Sequence, residues 1–240
     1  MFIMSCVSEI VKQKLSLGRH VQIKLIGDSI THGVGGTGYK TDGEEIILGV
    51  CRNPNGYCWA KRFKENLESR YDCSVVNNAM SGSTIDYIND HFDGLVCDED
   101  DLIICTVGTN NRHQYHADGP KRSYEQQRDR VYGFILELCD KLNATGKDYI
   151  LFSNVPASAS DEKDGAAFWR ILHMDDIDAL YKQAQKEKGF HYVSMYDLYL
   201  EYCRNNAVSL DDLLIDGLHP NDAGYDVMYE LTMDVLELEK

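Results

Sequence analysis

The sequence predicts an α/β protein, a three-layer α/β/α sandwich built around a parallel sheet of about five strands. Two observations predict it. Short, nearly continuous apolar runs recur along the chain, and segments of helical period separate them. This alternation is typical of βαβ units, whose strands are covered by helices on both faces. Because no repeat, low-complexity tract or Pro/Ser-rich linker interrupts the pattern, we expect a single domain over residues 1–240.

The predicted strands are short runs rich in Val, Ile, Leu, Phe and Tyr, without the polar alternation of a half-exposed strand. They are Val21–Ile26, Ser74–Asn77, Leu102–Val107, Tyr149–Ser153 and, more weakly, His191–Ser194. A strand that is buried on both faces has this composition. These runs therefore predict the sheet.

Apolar residues at helical spacing predict the helices. A short amphipathic helix at 5–17 precedes the first strand, and the others are Trp59–Tyr71, Thr84–Phe92, Arg122–Leu142, Ala166–Lys188 and about Asp222–Glu237. The least regular stretch is Gly33–Gly56, which is rich in glycine. Ligands of α/β sheets bind at the carboxyl ends of the strands. We expect this long loop, which leaves such an end, to lie at the rim of the pocket.

Composition excludes several function classes. The net charge of −15 disfavours nucleic acid and anionic membrane surfaces as partners, because both require clustered Lys and Arg. No apolar run reaches the roughly 20 residues of a spanning helix. The first residues lack the basic and apolar regions of a signal peptide, so we expect a cytoplasmic location. The oligomeric state stays open.

The eight cysteines include no Cys-x-x-Cys pair, which disfavours the usual zinc and redox sites. Reduced structural thiols are the preferred interpretation, with Cys51 and Cys58 left open as a disulfide pair because they share one loop. His113 and His116 could form half of a metal site, but no third ligand is evident, so we predict no metal.

A serine and a histidine lie in two turns that suit nucleophilic catalysis. Ser29 follows the first strand in Gly-Asp-Ser-Ile-Thr-His-Gly, and His219 lies three positions after Asp216 near the C-terminus. A serine nucleophile needs an imidazole to take its proton and an acid to orient that imidazole. Each turn alone has an ordinary structural explanation, as a helix cap or a turn former.

Two further strand ends carry hydrogen-bond donors suited to an oxyanion. Gly82 lies in Asn-Asn-Ala-Met-Ser-Gly-Ser-Thr after the second strand, and Asn110 lies in Gly-Thr-Asn-Asn after the third. A backbone N–H and a side-chain amide are suitable donors for such a site. Taken alone, the two residues could equally be a turn residue and a side chain that bonds to the loop backbone.

Together these four blocks, in this order, resemble the SGNH (GDSL-like) hydrolase family, whose fold is flavodoxin-like. The blocks span residues 27–221, so the resemblance covers nearly the whole chain. It implies that Ser29 is the nucleophile, with His219 and Asp216 completing a catalytic triad. It also implies an oxyanion hole made by Ser29 N–H, Gly82 N–H and the Asn110 amide. Ile30 replaces the commoner Leu, and Asn111 replaces a frequent Asp, which puts the partner of Asn110 in doubt.

The resemblance implies a carboxylic ester hydrolase that needs no metal or organic cofactor. Family members of this size often remove acetyl groups from carbohydrates, so we expect a small acylated substrate, a carbohydrate ester. Two alternatives stay open at this point. One is an O-acyltransferase that uses the same serine with a sugar hydroxyl in place of water. The other is a non-catalytic carbohydrate-binding or scaffold protein that keeps the fold.

Overall fold

A computed structural model describes residues 9–39, 45–47, 50–52, 56–113, 122–164 and 170–237. Its main sheet contains strands β1 (Val21–Gly27), β4 (Cys73–Asn77), β5 (Leu102–Thr106), β6 (Asp148–Phe152) and β7 (His191–Val193). All four strand pairs are parallel, in the order β4-β1-β5-β6-β7. The predicted α/β class and five-stranded parallel sheet are confirmed.

The helices lie on both faces of this sheet. They are α1 (Glu9–Ser16), α2 (Ser29–His32), α3 (Trp59–Arg70), α4 (Ile85–Asp90), α5 (Phe92–Leu95), α6 (Tyr124–Ala144), α7 (Ala159–Asp164), α8 (Met174–Lys188), α9 (Met195–Asn206) and α10 (Asp222–Leu236), with short 3-10 helices at Thr109–Arg112 and Leu210–Leu213. Alternate strand residues enter two separate apolar clusters, one on each face. For example, Leu25 and Ile104 pack under α3, α9 and α10, whereas Ile26 and Ile103 pack under α4, α6 and α8. This explains why the strand sequences show no polar alternation.

Local sequence signals set several helix starts. Ser123 and Gln126 form a reciprocal capping box at the start of α6. The Thr84 side chain accepts a hydrogen bond from the Tyr87 N–H and begins α4, as predicted. Asn221 caps α10 in the same way through the Gly224 N–H. Because α10 starts there, the preceding turn carries His219 at a fixed distance from the helix.

One predicted helix begins later than the sequence suggests. The prediction of a helix from Ala166 is wrong over residues 170–173, because α8 starts only at Met174. The N–H groups of Ile171 and Leu172 both donate to the Arg112 carbonyl, and Arg170 pairs with His113. This long-range pairing takes the backbone groups that a helix would use. Residues 165–169 lie outside the described part of the chain.

The chain has secondary structure that the sequence pattern did not predict. α9 is a full helix over Met195–Asn206, a segment for which no helix was predicted. The long Gly33–Gly56 stretch contains two short antiparallel strands, β2 (Glu45–Ile47) and β3 (Val50–Arg52). At the N-terminus, α1 covers most of the predicted 5–17 helix, and residues 5–8 lie outside the described residues.

The order of the strands determines where a ligand would bind. Numbered by their order along the chain, the five strands of this sheet lie side by side in the order 2-1-3-4-5. This is the flavodoxin-like arrangement. The direction in which successive strands are added to the sheet reverses between β1 and β5. The chain segments that follow these two strands lead to opposite faces of the sheet. The crevice outside the carboxyl ends of these two strands is the expected ligand site. Ser29 follows β1 there, and Asn110 follows β5.

Candidate active site

Ser29 lies at the carboxyl end of β1, on a one-turn helix that local hydrogen bonds hold in place. The strand ends at Gly27, and Asp28 caps the helix by accepting the Ile30 N–H at 3.1 Å. At the other end of the turn, the Ser29 carbonyl accepts the Gly33 N–H at 3.0 Å. Only 5% of Ser29 is exposed. Its hydroxyl is therefore presented from a rigid, nearly buried turn.

Ser29, His219 and Asp216 form one chain of hydrogen bonds. His219 Nε2 lies 2.8 Å from Ser29 Oγ, and His219 Nδ1 lies 2.7 Å from Asp216 Oδ2. A carboxylate only accepts hydrogen bonds, so it favours the tautomer with the proton on Nδ1. Nε2 then faces the hydroxyl as an acceptor. The structure thus brings together the three residues that the sequence placed in a triad, with the geometry that a general base requires.

The carboxylate of Asp216 is held in its ionised form. Partial burial raises its pKa, but hydrogen bonds from the His219 ring and from backbone N–H groups outweigh this, and the net pKa is well below the usual range. The backbone donors are Leu218 at 3.0 Å and His219 at 2.7 Å, both to Oδ1. Oδ2 is left to the imidazole. The Asp216 carboxylate therefore holds the backbone of its turn through one oxygen and orients the His219 ring through the other.

The turn that carries His219 is held from two sides. Leu214 and Pro220 pair as an antiparallel bridge, and the Ile215 N–H donates to the His219 carbonyl at 2.9 Å. On the other side, Gly35 has φ +98° and lies so close that an added Cβ would be 2.5 Å from the Pro220 carbonyl oxygen. A side chain at position 35 would be strained and would clash with backbone. The glycine-bearing segment after α2 therefore packs directly against the histidine turn.

The predicted oxyanion donors lie on the two neighbouring loops. Gly82 follows β4 with φ +83°, in an exposed turn. Asn110 follows β5, and its amide donates to the Ser83 carbonyl at 2.9 Å. That bond uses one of the two amide hydrogens and fixes the plane of the amide. The Met80 N–H donates to the Gly27 carbonyl at 3.0 Å, which joins the Gly82 loop to the nucleophile turn.

Comparison with known proteins identifies the family. The sequence pattern of the GDSL-like lipase/acylhydrolase family matches residues 25–227, most of the chain. The chain belongs to this family. The resemblance inferred from the four sequence blocks is confirmed, and so is the assignment to the carboxylic ester hydrolases. No curated protein sequence matches the chain significantly.

Solved structures of similar fold include an acetylxylan esterase and two other hydrolases. The acetylxylan esterase Axe2 of Geobacillus stearothermophilus superposes with a TM-score of 0.65 at 18% identity, covering 91% of this chain and 95% of its own. LAE5, an alpha/beta hydrolase from the metagenome of Lake Arreo in Spain, gives 0.67 at 20% identity, covering 92% and 97%. A lipase/acylhydrolase of Enterococcus faecalis gives 0.61 at 17%, covering 89% and 94%. At these identities the likeness establishes the fold.

Asn111 stands where members of the GDSL-like family frequently have Asp. It is buried, its Oδ1 accepts the Ile85 N–H at 2.8 Å, and its Nδ2 donates to Asp86 at 3.1 Å. Its carbonyl accepts from the Gln127 side chain at 2.8 Å. The substitution left the partner of Asn110 in doubt. In the structure Asn111 anchors the loop to the start of α4, while Asn110 bonds to Ser83.

Asn154 is a residue of the site that the sequence analysis missed. It lies directly beyond the last β6 residues, and its Nδ2 donates both to Asp28 Oδ2 at 2.7 Å and to Thr109 Oγ1 at 2.5 Å. This one amide joins the turn of Ser29 to the loop of Asn110. Its position at a strand carboxyl end, which Ser29 and Asn110 share, was the signal that could have found it.

Asp28 is a fully buried carboxylate beside the nucleophile. Burial raises its pKa, and the hydrogen bonds from the Ile30 N–H and the Asn154 amide only partly offset this. The group is therefore easier to protonate in the folded protein than in the unfolded chain. In the sequence Asp28 stands out only as part of the Ser29 motif, because burial of a turn residue is not visible in a sequence.

Arg112 forms a buried ionic cluster next to the loop of Asn110. None of its surface is exposed, and its guanidinium lies 3.4 Å from Asp161 and 3.2 Å from Glu162. Arg170 also pairs with Asp161, at 2.5 Å. A buried cation must be paired, so this cluster fixes α7 against the loop. The residue just before α7, Ser158, donates its N–H to the Gly217 carbonyl at 2.8 Å and so reaches the turn of Asp216.

The remaining candidates from the sequence are the Cys51 and Cys58 pair and the His113 and His116 pair. Cys58 is a free, buried thiol that accepts the Lys61 N–H, and the side chain of Cys51 lies outside the described part of the structure. Within the described ranges, no group of three or more His, Cys, Asp or Glu side chains could hold a metal ion. His116 lies outside those ranges. Among the helices described, none has the length and apolarity to cross a membrane.

Proposed function

We propose that the protein is a serine esterase that hydrolyses small acyl esters, above all acetyl esters carried by a carbohydrate. The observation that carries the proposal is the hydrogen-bonded chain from Asp216 through His219 to the Ser29 hydroxyl. The fold and the family alone do not show an activated nucleophile, whereas these three hydrogen-bonded side chains have the chemistry to activate one. The remaining steps follow from their chemistry.

In the proposed reaction, the Ser29 oxygen attacks the ester carbonyl carbon while its proton passes to His219 Nε2. Asp216 stabilises the imidazolium that forms, and it stays a carboxylate throughout. The carbonyl oxygen becomes an oxyanion, which we assign to the Ser29 N–H, the Gly82 N–H and the second amide hydrogen of Asn110. One such donor contributes on the order of 3 kcal/mol to the barrier.

Collapse of the tetrahedral intermediate breaks the bond to the alcohol, which leaves as His219 returns the proton. The acyl group is then an ester of Ser29. A water molecule, deprotonated by His219, attacks that ester, and the carboxylic acid departs as Ser29 recovers its proton. No residue outside the triad and the three donors has to react, so the sequence expectation of chemistry without a metal or organic cofactor is retained.

The direction of the pH dependence follows from the electrostatics of the triad. The pKa of Asp216 is held below its usual range, so this carboxylate stays ionised as the medium becomes mildly acidic. Activity should fall on acidification, because a general base that already carries a proton cannot accept the serine hydrogen. A rate that is constant from about pH 5 to 9, with the chemical step limiting, would contradict a histidine base.

The acyl group is proposed to be small because the sequence near the pocket is polar and rich in glycine. The residues concerned are 33–56 and 111–120, of which 40–44, 48–49, 53–55 and 114–120 lie outside the described residues. The acetylxylan esterase of similar fold supports a small acyl group on a carbohydrate. Its solved catalytic mutants replace a serine, an aspartate and a histidine, the last two three positions apart as Asp216 and His219 are.

The test is hydrolysis of p-nitrophenyl acetate by the wild-type protein and by Ser29→Ala. We expect turnover that the substitution abolishes to within the rate of the uncatalysed reaction. Ser160→Ala is a matched control, since Ser160 lies on the surface in α7. Wild-type protein without esterase activity toward any acetyl ester would favour a non-catalytic scaffold. Adding an acceptor sugar then distinguishes hydrolysis from acyl transfer by whether free acetate or acetylated sugar accumulates.

A further inference from the structure

A second concave surface lies beside the proposed oxyanion donor Gly82. It is a cavity of about 360 Å³, lined by Ser81–Thr84 with Asp86, Tyr87 and Asp90, and we call it the α4 groove. Met80, which precedes the groove, is hydrogen-bonded to Gly27 at the nucleophile turn. Two residues of chain span at most about 7 Å. Gly82 and the start of the groove are therefore within reach of a substrate that is bound at Ser29.

Apart from Gly82, every residue that lines the α4 groove carries a polar group on its side chain. These groups are hydroxyl groups, two carboxylates and one phenol, and the described residues that line the groove include no Lys, Arg, His or aliphatic side chain. Carboxylates accept hydrogen bonds strongly from hydroxyl donors. An anionic ligand would be repelled by Asp86 and Asp90. The chemistry suits an uncharged molecule that carries several hydroxyl groups.

The groups that line the groove are held in place before any ligand binds. Asp86 accepts from Asn111 at 3.1 Å and faces Arg130 at 3.8 Å. The Tyr87 ring stacks on His91 with the ring centroids 4.1 Å apart. Such fixed groups lose little side-chain entropy when they bind a ligand. The flat face of a fixed aromatic ring is also suited to contact with the C–H face of a sugar ring.

One lining residue has an unused hydrogen-bonding group. Ser83 is 2% exposed, and its hydroxyl oxygen has no hydrogen-bond partner within the described part of the chain. Buried hydroxyl groups are nearly always bonded in folded proteins. The Ser83 carbonyl, in contrast, accepts the Asn110 amide. The loop that provides the unpaired hydroxyl is thus the loop that positions the proposed oxyanion donors.

We propose that the α4 groove binds the alcohol part of the substrate, a neutral polyol such as a sugar ring, while the acyl group occupies another part of the crevice. The proposal rests on the proposed function, because it assigns a leaving group to the same serine. We assign the groove to the alcohol because an acetyl group has no hydroxyl group that could form hydrogen bonds with the polar side chains of the groove.

The test compares two substrates that share the acetyl group and differ in the alcohol. We would measure kcat/KM for a neutral acetylated xylooligosaccharide and for p-nitrophenyl acetate, and take the ratio of the two. Asp90→Asn and Tyr87→Ala should each lower this ratio by about tenfold, the size expected for one lost charged hydrogen bond or one lost ring contact. Asp93→Asn, an equally exposed charge change on α5, is the control and should leave the ratio unchanged.

A direct binding measurement separates this inference from the proposed function. Titration of Ser29→Ala with the acetylated xylooligosaccharide should show binding that a second substitution, Tyr87→Ala, weakens by about tenfold. If wild-type protein cleaves p-nitrophenyl acetate but neither groove substitution moves the ratio or the binding, the α4 groove is not the alcohol site. If wild-type protein cleaves no acetyl ester, the proposed function itself fails.

Discussion

The substitution Asp216→Asn removes one charge from the site and leaves the turn that carries it intact. In the wild type, Oδ1 accepts two backbone N–H groups, and Oδ2 accepts the imidazole Nδ1–H. The carbonyl oxygen of an asparagine can keep both backbone bonds. Its NH₂ group then faces Nδ1 of His219 as a donor, so the ring is driven to the tautomer that has its proton on Nε2.

That tautomer cannot accept the Ser29 proton, although the atoms have hardly moved. Loss of the correct tautomer in a serine triad lowers kcat by about 10⁴-fold. Here Asp216 is half-exposed, so water can partly replace the lost charge, and we expect a fall of about 10³–10⁴-fold. This corresponds to roughly 4–5.5 kcal/mol of barrier. KM should change little, because Asp216 bonds to the turn and to His219 rather than to a substrate.

The assay is steady-state hydrolysis of p-nitrophenyl acetate, with urea unfolding of each variant as a check on folding. Asp211→Asn, an exposed charge change on the neighbouring 3-10 helix, is the matched control and should retain wild-type kcat. A loss of less than tenfold in a folded Asp216→Asn protein would refute the reasoning. It would mean that His219 is oriented by some other group.

Three further predictions concern the oxyanion, the buried carboxylate and the acyl group. Asn110→Ala should lower kcat by roughly 10²–10³-fold with little change in the unfolding midpoint, and unchanged turnover would place the donor elsewhere. Because burial raises the pKa of Asp28, its ionisation lowers stability as pH rises above the ordinary value of 3.8. The free energy of unfolding of Asp28→Asn in urea should therefore rise relative to that of wild type between about pH 4 and pH 7; a difference that is constant with pH would contradict a raised pKa. In a p-nitrophenyl ester series, the acetyl ester should give a higher kcat/KM than the octanoyl ester. A polar pocket wall cannot supply the stabilisation of about 0.8 kcal/mol that each methylene gains when it is buried against apolar surface. An optimum at long chains would overturn the small-acyl assignment.

Much of the fold could be predicted because the sheet is buried on both faces. Strands such as Leu102–Thr106 are short apolar runs, and a sequence shows burial of this kind directly. Residues with reactive side chains directly after those strands predicted the site, because parallel strands bring their carboxyl ends to one edge. Ser29 and Asn110 were found in this way.

The features that were missed depend on contacts between distant parts of the chain. The late start of α8 follows from the bonds of Ile171 and Leu172 to Arg112, nearly 60 residues earlier. Asn154 matters only because Asp28 and Thr109 lie beside it in the folded protein. The spacing of apolar residues along a sequence does not show which distant residues will form hydrogen bonds with each other. α9 is a different case, because its buried residues Met195, Tyr199 and Cys203 do lie at helical spacing, yet no helix was predicted there.

The central claim is that Ser29 forms a covalent acyl-enzyme with help from His219. The most direct measurement is labelling with a fluorophosphonate that reacts with activated serines, followed by mass spectrometry of the intact protein and of its peptides. We predict a single adduct, located on Ser29, which disappears in Ser29→Ala and forms far more slowly in His219→Ala. Labelling of another residue, or equal labelling of the wild type and Ser29→Ala, would contradict the account.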